Sequence, residues 1–214
     1  MNRNNSQEKI YKLFVDFAGQ YARLSPYEEL NEKEPEPVKF IWNNWGADDK
    51  KIADFIPTFF HCVVKENIAD LLEENFTGIQ KKSIKIVDLV TDEKKKKRLK
   101  WYPLNVPELA LLEVTKRVSI LPISTMEVLE EDDNGKIRKI LKDVTGIAEL
   151  EDGVIIPREK GKGFFISREE INNFDFFHPE DTSFCLCTEK VKLFVENAGY
   201  TNVYFLEAGE IVDE

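Results

Sequence analysis

Two histidines, His61 and His178, are the side chains best suited to proton transfer near neutral pH. His178 lies close in sequence to Asp175, Glu180 and Asp181, so a His–carboxylate pair is one interpretation. No Gly-x-Ser-x-Gly or His-Glu-x-x-His motif accompanies it. The sequence therefore favours a surface turn residue over a catalytic base, and we predict no catalytic residue.

Three cysteines, Cys62, Cys185 and Cys187, are too few for a disulfide framework. Cys185 and Cys187 would lie on one side of a strand, where His178 could join them around a metal ion. Structural zinc usually needs four ligands and a Cys-x-x-Cys spacing, and a fourth ligand is not evident. Because their neighbours are mostly apolar, we interpret the cysteines as small buried hydrophobes and predict no metal and no cofactor.

Three further features suggest binding sites at first sight. Trp42, Trp45 and Trp101 would suit a ligand pocket, but a core or an interface is the commoner place for tryptophan. The Lys-Gly-Lys-Gly segment at 160–163 lacks the spacing of a phosphate loop and predicts a turn. The charged run at 92–98 could contact phosphate, but it is more typical of a solvated loop.

The formal net charge of −10 and the pI near 5.0 disfavour nucleic acid as a partner, because phosphates would be repelled. They favour a basic protein partner, since opposite charges steer encounter. No apolar run reaches the roughly 18 residues of a membrane helix, and residues 1–8 lack the apolar core of a signal peptide. We expect a cytoplasmic protein without a membrane partner.

The clearest local pattern is a strand, a helix and a second strand. Residues 59–64 are β-branched and aromatic, which is typical of a buried strand. Residues 65–75 then change to helical spacing, and residues 83–90 alternate as a second strand would. The side of the helix that we expect to be buried carries Ile68, Leu71 and Leu72.

Other segments give weaker signals. Residues 6–24 fit helical spacing and strand alternation equally well, and residues 108–116 predict a short helix or an extended segment. Asn134-Gly135 predicts a hairpin turn, because both residue types accept positive φ. Residues 146–156 resemble a strand, and Ser167 is a candidate helix N-cap.

The strand–helix–strand pattern occurs twice in the chain. In the order along the chain, the matching segments are 54–57 with 175–179, 62–75 with 185–198, 76–79 with 200–203, and 86–88 with 211–213. Their common order, with small gaps, favours a true internal repeat over a chance match of apolar patterns. Two copies are too few for a solenoid.

The repeat predicts an α+β fold with two related strand–helix–strand units whose sheets are covered by helices. If a helix joins two parallel strands of one sheet, we expect the crossover connection to be right-handed. The units would form an N-terminal lobe at 1–92 and a C-terminal lobe at 93–214. A single continuous domain, with one sheet carrying both copies, is the alternative.

The second copy resembles a known family. It has an apolar strand, a helix start at Thr188-Glu189-Lys190-Val191, a turn at Asn197-Ala198-Gly199-Tyr200-Thr201-Asn202-Val203, and a closing strand with Tyr204-Phe205. This ending resembles the C-terminal portion of immunity proteins from bacterial polymorphic toxin systems. Trp101-Tyr102-Pro103-Leu104-Asn105-Val106 also resembles that family's central tyrosine-bearing strand. The similarity extends loosely from Ala53 to Glu214, and mainly over the C-terminal half.

The residues that match the family serve packing. The family's helix C-cap glycine matches Gly199, whereas the first copy has Asn75 directly before Phe76. Asn202 stands where the family has a small glycine, and asparagine tolerates left-handed geometry.

The resemblance implies a protein that binds and neutralises a cognate toxin in the producing cell. Such a protein would cover the active face of the toxin through acidic side chains and exposed aromatic residues. The sequence does not identify its contact residues or its oligomeric state. A structural or regulatory interaction module with another partner is the alternative, and an enzyme that uses His178 is a third.

Overall fold

The fold is built mainly from strands. The computed structural model describes residues 8–17, 21–26, 37–43, 51–58, 61–87, 106–124, 127–131, 137–142, 146–180 and 182–213. The strands there are β1 (Glu8–Phe14), β2 (Arg23–Pro26), β3 (Val38–Asn43), β4 (Phe55–Ile56), β5 (Cys62–Lys65), β6 (Ile79–Ile86), β7 (Leu109–Val114), β8 (Arg117–Val118), β9 (Glu127–Glu131), β10 (Ile137–Lys142), β11 (Glu149–Glu151), β12 (Val154–Ile156), β13 (Phe164–Ser167), β14 (Phe176–Pro179), β15 (Leu186–Thr188) and β16 (Tyr204–Val212). The helices are α1 (Glu66–Asn75), α2 (Arg168–Ile171) and α3 (Glu189–Ala198).

Two six-stranded sheets form the body of the described structure. The first sheet has the order β2-β3-β6-β7-β5-β4, and the second has the order β13-β16-β1-β15-β14-β8. Two hairpins, β9–β10 and β11–β12, stand apart from them as two-stranded sheets. The α+β class is therefore confirmed, and the two copies of the repeat lie in separate sheets rather than in one.

Helix α1 confirms the predicted helix and corrects its buried side. Its buried residues are Ile68, Ala69 and Leu72, which lie on one side of the helix. Leu71, which we expected to be buried, is 40% exposed. The helix needs no side-chain cap at Lys65, where the preceding strand ends directly.

The repeat is larger than the sequence indicates. Strands β5 and β6, which flank α1, are parallel but not adjacent, because β7 lies between them and is antiparallel to both. In the second sheet, β1 lies in the same way between β15 and β16. Strands β3 and β13 match as well, since each pairs in parallel with the strand after the helix. We call β3–β7 with α1 the first unit, and β13–β16 with α2, α3 and β1 the second unit.

Local geometry explains the gaps in the repeat. Gly199 is an additional residue that ends α3 in the left-handed conformation, whereas α1 ends in the extended Phe76. In β16 the pairing with β1 shifts by one residue between Ile10 and Tyr11, which is a β-bulge. These two gaps therefore correspond to a cap and a bulge, and the remaining gap is a connection between β14 and β15 that is two residues longer than the one between β4 and β5.

The sheets do not follow the predicted division at residue 92. Strand β1 lies in the second sheet, although it is the most N-terminal strand described. Strand β7, at Leu109–Val114, lies in the first sheet. Residue 92 itself lies outside the described residues, and the division into two domains stays a prediction.

The two units share a central core. This cluster combines α1 and α3 with strands of both sheets, including Leu13, Leu72, Leu112, Val195 and Phe205. A second cluster belongs to the second sheet, and a third belongs to the first sheet. Trp42 is buried in the third cluster, so its core interpretation is confirmed. Trp45 and Trp101 lie outside the described residues.

The segments that the sequence left undecided between helix and strand form strands. Residues 6–24 contain β1 and the start of β2, and residues 108–116 contain β7. The hairpin predicted at Asn134-Gly135 is confirmed by the antiparallel pairing of β9 and β10, although the turn residues lie outside the described residues. Residues 146–156 form the β11–β12 hairpin rather than one strand.

Two further predictions have clear outcomes. Ser167 caps α2, where its hydroxyl accepts a hydrogen bond from the Glu170 amide. The charged run at 92–98 lies outside the described residues. Among the residues that are described, no helix has both the length and the apolar character needed to cross a membrane.

Candidate functional site

Reciprocal contacts between an aspartate and a threonine join the two units. The Thr201 amide donates to Asp54 Oδ2 at 2.8 Å, and the Asp54 amide donates to Thr201 Oγ1 at 2.9 Å. At the matching positions, the Thr77 amide donates to Asp175 Oδ2 and the Asp175 amide donates to Thr77 Oγ1, both at 3.1 Å. Each unit thus holds the turn after the other unit's helix, which fixes their relative position.

A cleft of about 830 Å³ lies between the units. Its volume falls within the range of small-molecule sites in proteins. The residues that line it and bear on its chemistry are Val38, His61, Cys62, Lys82, Leu112 and Glu113 of the first unit, and Lys12, Phe14, His178, Phe184 and Cys185 of the second, with Arg117 of β8. Both histidines therefore line the same cleft, although they do not occupy matching positions of the repeat.

His178 lies in strand β14 and is half-buried, not in a surface turn as the sequence suggested. Its Nδ1–H donates to the Phe184 carbonyl oxygen at 2.7 Å, because a carbonyl can only accept. Burial lowers the pKa of His178, although the bond to Phe184 opposes this. In the neutral ring Nε2 then carries the lone pair.

The carboxylates expected beside His178 have other partners. Asp175 Oδ2 accepts from the Thr77 backbone amide at 3.1 Å, and Lys190 Nζ lies 3.3 Å from Asp175 Oδ1. Glu180 accepts from the Ser119 hydroxyl at 3.1 Å, and Asp181 lies outside the described residues. The structure therefore gives no support to the proposed pairs of His178 with Asp175 or Glu180.

His61 is held by aromatic packing. Its ring meets the edge or face of Phe40 at a centroid distance of 6.1 Å and an interplanar angle of 82°. Burial lowers the pKa of His61, so this ring is also neutral at neutral pH. Two neutral imidazoles add polarity to the cleft without adding charge.

The three cysteines contact the same central core cluster, so Cys185 and Cys187 do share one side of their strand. Burial raises the pKa of the Cys185 thiol to about 12 and raises those of Cys62 and Cys187 well above the usual value. Thiols of this kind are poor nucleophiles and poor metal ligands, because both roles need the thiolate. Within the described ranges, no group of three His, Cys, Asp or Glu side chains has a geometry that would hold a metal ion.

The cationic side chains of the cleft escaped the sequence analysis. Lys12 Nζ lies 4.0 Å from the centroid of the Phe184 ring, a cation–π contact. Lys82 Nζ pairs with Glu113 Oε1 at 2.7 Å. Arg117 of β8 is the register partner of His178. Lys12, Lys82 and Arg117 come from three separate parts of the chain, so no local motif marks them.

No protein-family model matches the chain. No curated protein matches it at a significant level either. The chemistry of the cleft must therefore be judged from its own residues. Neutral histidines, protonated thiols and a few cations suit the binding of a ligand better than acid–base or nucleophilic catalysis.

A second feature lies on the surface, at the β11–β12 hairpin. Its turn is Asp152-Gly153, and both residues have positive φ, at 48° and 80°. Val154, Ile155 and Ile156 of β12 are 66%, 47% and 42% exposed. The Asp-Gly pair was the available signal for this hairpin. Three consecutive exposed aliphatic side chains are costly to leave in water, which makes this strand a candidate contact surface.

Proposed function

We propose that the protein is a non-enzymatic immunity protein that binds and neutralises a cognate, basic protein toxin in the cytoplasm of the producing cell. The resemblance of the C-terminal half to toxin immunity proteins motivates the proposal. The observation that carries it is the β11–β12 hairpin, which exposes apolar side chains on a strongly acidic protein.

The chemistry of the hairpin suits a basic partner surface. Strand β11 pairs Glu151 with Val154 and Glu149 with Ile156, and all four side chains are exposed. Asp152 adds another exposed carboxylate at the turn. Apolar contact would supply affinity at the centre of such an interface, while the acidic rim would attract and orient a cationic protein.

The proposal also gives the fold a role. Helices α1 and α3 pack with strands of both sheets in the central core, and the paired units would present the hairpin to the partner. A net charge of −10 makes nucleic acid or an anionic membrane surface an unfavourable partner.

Coexpression with the product of the gene immediately upstream tests the proposal. We expect rescue of growth when that product is toxic, and a stable one-to-one complex in gel filtration. Ile155→Asp should weaken the complex by about tenfold or more, because a charge would replace an apolar contact. Leu193→Asp is the matched control, since Leu193 is 49% exposed on α3 and Ile155 is 47% exposed.

The alternatives give different results in the same experiment. An interaction module with another partner would neither bind the toxin nor rescue growth. An enzyme that inactivates the toxin would protect at amounts well below one per toxin, and His178→Ala would remove that protection. Rescue with equal loss of binding in Ile155→Asp and Leu193→Asp would exclude the hairpin as the contact surface.

A further inference from the structure

Two imidazole rings bring unpaired nitrogen atoms to the cleft between the units. His178 Nδ1 is bonded to the Phe184 carbonyl oxygen, and within the described residues no group is bonded to His178 Nε2. The same holds for both ring nitrogens of His61, whose ring contact is with Phe40. None of these nitrogens belongs to the described polar atoms that are buried without a partner. They are therefore accessible to solvent, and both histidines line the cleft.

The protonation state of His178 makes Nε2 a hydrogen-bond acceptor. Because a carbonyl oxygen can only accept, Nδ1 carries the ring hydrogen. Burial lowers the pKa of His178 and the Arg117 cation lowers it further, although the bond to Phe184 and the charge of Glu113 oppose them. The ring is therefore neutral near pH 7, and Nε2 can accept a hydrogen bond that the described part of the chain does not supply.

The charged side chains of the cleft already have partners in the protein. Lys82 Nζ pairs with Glu113 Oε1 at 2.7 Å. The Lys12 ammonium lies 4.0 Å from the centroid of the Phe184 ring. Lys12 and Arg117 each have a further interaction as well. A ligand that enters the cleft therefore does not need a charge of its own.

The wall of the cleft is apolar and comes from the same segment of both units. Leu112 of β7 pairs with Cys62, and Leu13 of β1 occupies the matching position, where its amide donates to the Cys185 carbonyl oxygen. Val114 extends this wall along β7. Burial raises the pKa of both thiols, so they are protonated and neutral. An uncharged, mainly apolar body fits such a wall.

From this juxtaposition we infer that the cleft binds a neutral, mainly apolar small molecule that carries a hydroxyl group. The hydroxyl would donate to His178 Nε2, and the apolar body would lie against Leu13, Leu112 and Val114. A volume of about 830 Å³ accommodates a ligand of this kind. The inference is independent of the toxin-binding proposal, because the residues of the β11–β12 hairpin are not among the described residues that line the cleft.

Three pyrene probes of similar size test the inference on the full chain by fluorescence titration: 1-pyrenemethanol, its methyl ether and 1-pyrenecarboxylate. We expect one molecule of 1-pyrenemethanol to bind per folded chain. The ether cannot donate a hydrogen bond, so its affinity should be about fivefold to tenfold lower. The carboxylate should bind no more tightly than the alcohol, because the cations of the cleft already have partners.

The variant His178→Asn separates the proposed contact from general damage to the cleft. Asparagine can still donate from Nδ2 to the Phe184 carbonyl oxygen, but it has no atom at the position of Nε2. The ratio of the affinities for the alcohol and the ether should therefore fall to about one. His61→Asn is the matched control, since it removes the other neutral imidazole of the cleft, and the wild-type ratio is expected there.

Four results would overturn the inference. They are binding of the alcohol at no site or at several sites, equal affinity of the wild type for alcohol and ether, tighter binding of the carboxylate, and an unchanged ratio in His178→Asn. Circular dichroism in the near ultraviolet verifies that each variant keeps its packed core. Since the readout is a ratio of two ligands on one variant, a partial loss of folded chain affects both titrations alike.

Discussion

Residues at matching positions of the two units stabilise the same turn in different ways. Gly78 and Asn202 both follow the threonine that contacts the other unit, and both have positive φ, at 88° and 63°. Asn202 Nδ2 donates to the Phe55 carbonyl oxygen at 3.1 Å. At Gly78 there is no room for a side chain, because a Cβ atom would overlap the carbonyl oxygen of Phe176. The same backbone turn is thus stabilised by an amide group in one unit and by close approach in the other.

Gly78→Ala should lower the free energy of unfolding by about 2–4 kcal/mol, since it combines a strained φ with a steric overlap. Gly161→Ala is the control, because Gly161 also has positive φ, at 76°, but has no atom within 4 Å of the added Cβ. We expect a loss of about 1 kcal/mol there. Urea denaturation at neutral pH measures both. Equal losses would show that the contact with Phe176 contributes nothing.

The sequence predicts residue chemistry better than residue neighbours. The apolar surroundings of the cysteines predicted burial, which is confirmed for Cys187, whereas Cys62 and Cys185 are half-buried and line the cleft. The pairing of His178 with a carboxylate, which was the less favoured interpretation of the sequence, gains no support, because Asp175 and Glu180 have other partners. Asp175 lies just before β14 and forms its contacts with Thr77 of the first unit, and Glu180 accepts from the Ser119 hydroxyl. Lys12 and Arg117, which do share the cleft with His178, carry no sequence signal at all.

At the scale of elements, helix α1 shows how far a periodic pattern can be interpreted. The helix and the presence of a strand on each side of it were predicted correctly, because β-branched runs and helical spacing are local properties, although β6 begins at Ile79 rather than at residue 83. The predicted buried side was rotated toward Leu71, because the prediction included Leu71 and left out the small residue Ala69. Around the helix axis, the buried positions 68, 69 and 72 centre about 100° away from position 71.

Ile68→Ala should lower the free energy of unfolding by about 2–5 kcal/mol, because it leaves a cavity in the central core. Leu71→Ala on the same helix should change it by about 0.5 kcal/mol or less, since that side chain is partly in water. Thermal and urea unfolding of both variants measure the difference. Losses of similar size would place Leu71 in a contact that the structure does not show.

At the scale of the whole molecule, the two units do not form separate cores. Their helices and sheets meet in one cluster, and the contacts of Asp54 with Thr201 and of Asp175 with Thr77 join them again at the surface. The repeat was found in the sequence because its segments keep their order. The placement of β1 in the second sheet, and of β7 between β5 and β6, was not found in the sequence. The periodicity of a strand does not depend on which distant strand it pairs with.

Because the units share a core, a substitution that destabilises one unit should also destabilise the other. Val195→Ala in α3 should speed amide hydrogen exchange in β7 of the first sheet as well as in β15, with a loss of about 2 kcal/mol in both. Hydrogen–deuterium exchange followed by mass spectrometry resolves the two strands. Leu193→Ala, on the exposed side of α3, should alter neither. Faster exchange confined to the second unit would show that the units unfold independently.

The position of β1 has a consequence for synthesis on the ribosome. All strands of the first sheet lie between Arg23 and Val114, so that sheet can assemble while translation continues. Strand β1 must wait, because its contacts, such as that of Tyr11 with Glu189, join residues 178 positions apart. At about 5–20 residues per second, this delay is roughly 10–35 s. Throughout it, the apolar side chains of β1 have no sheet to enter, so the nascent chain carries an unpaired strand that a chaperone would recognise.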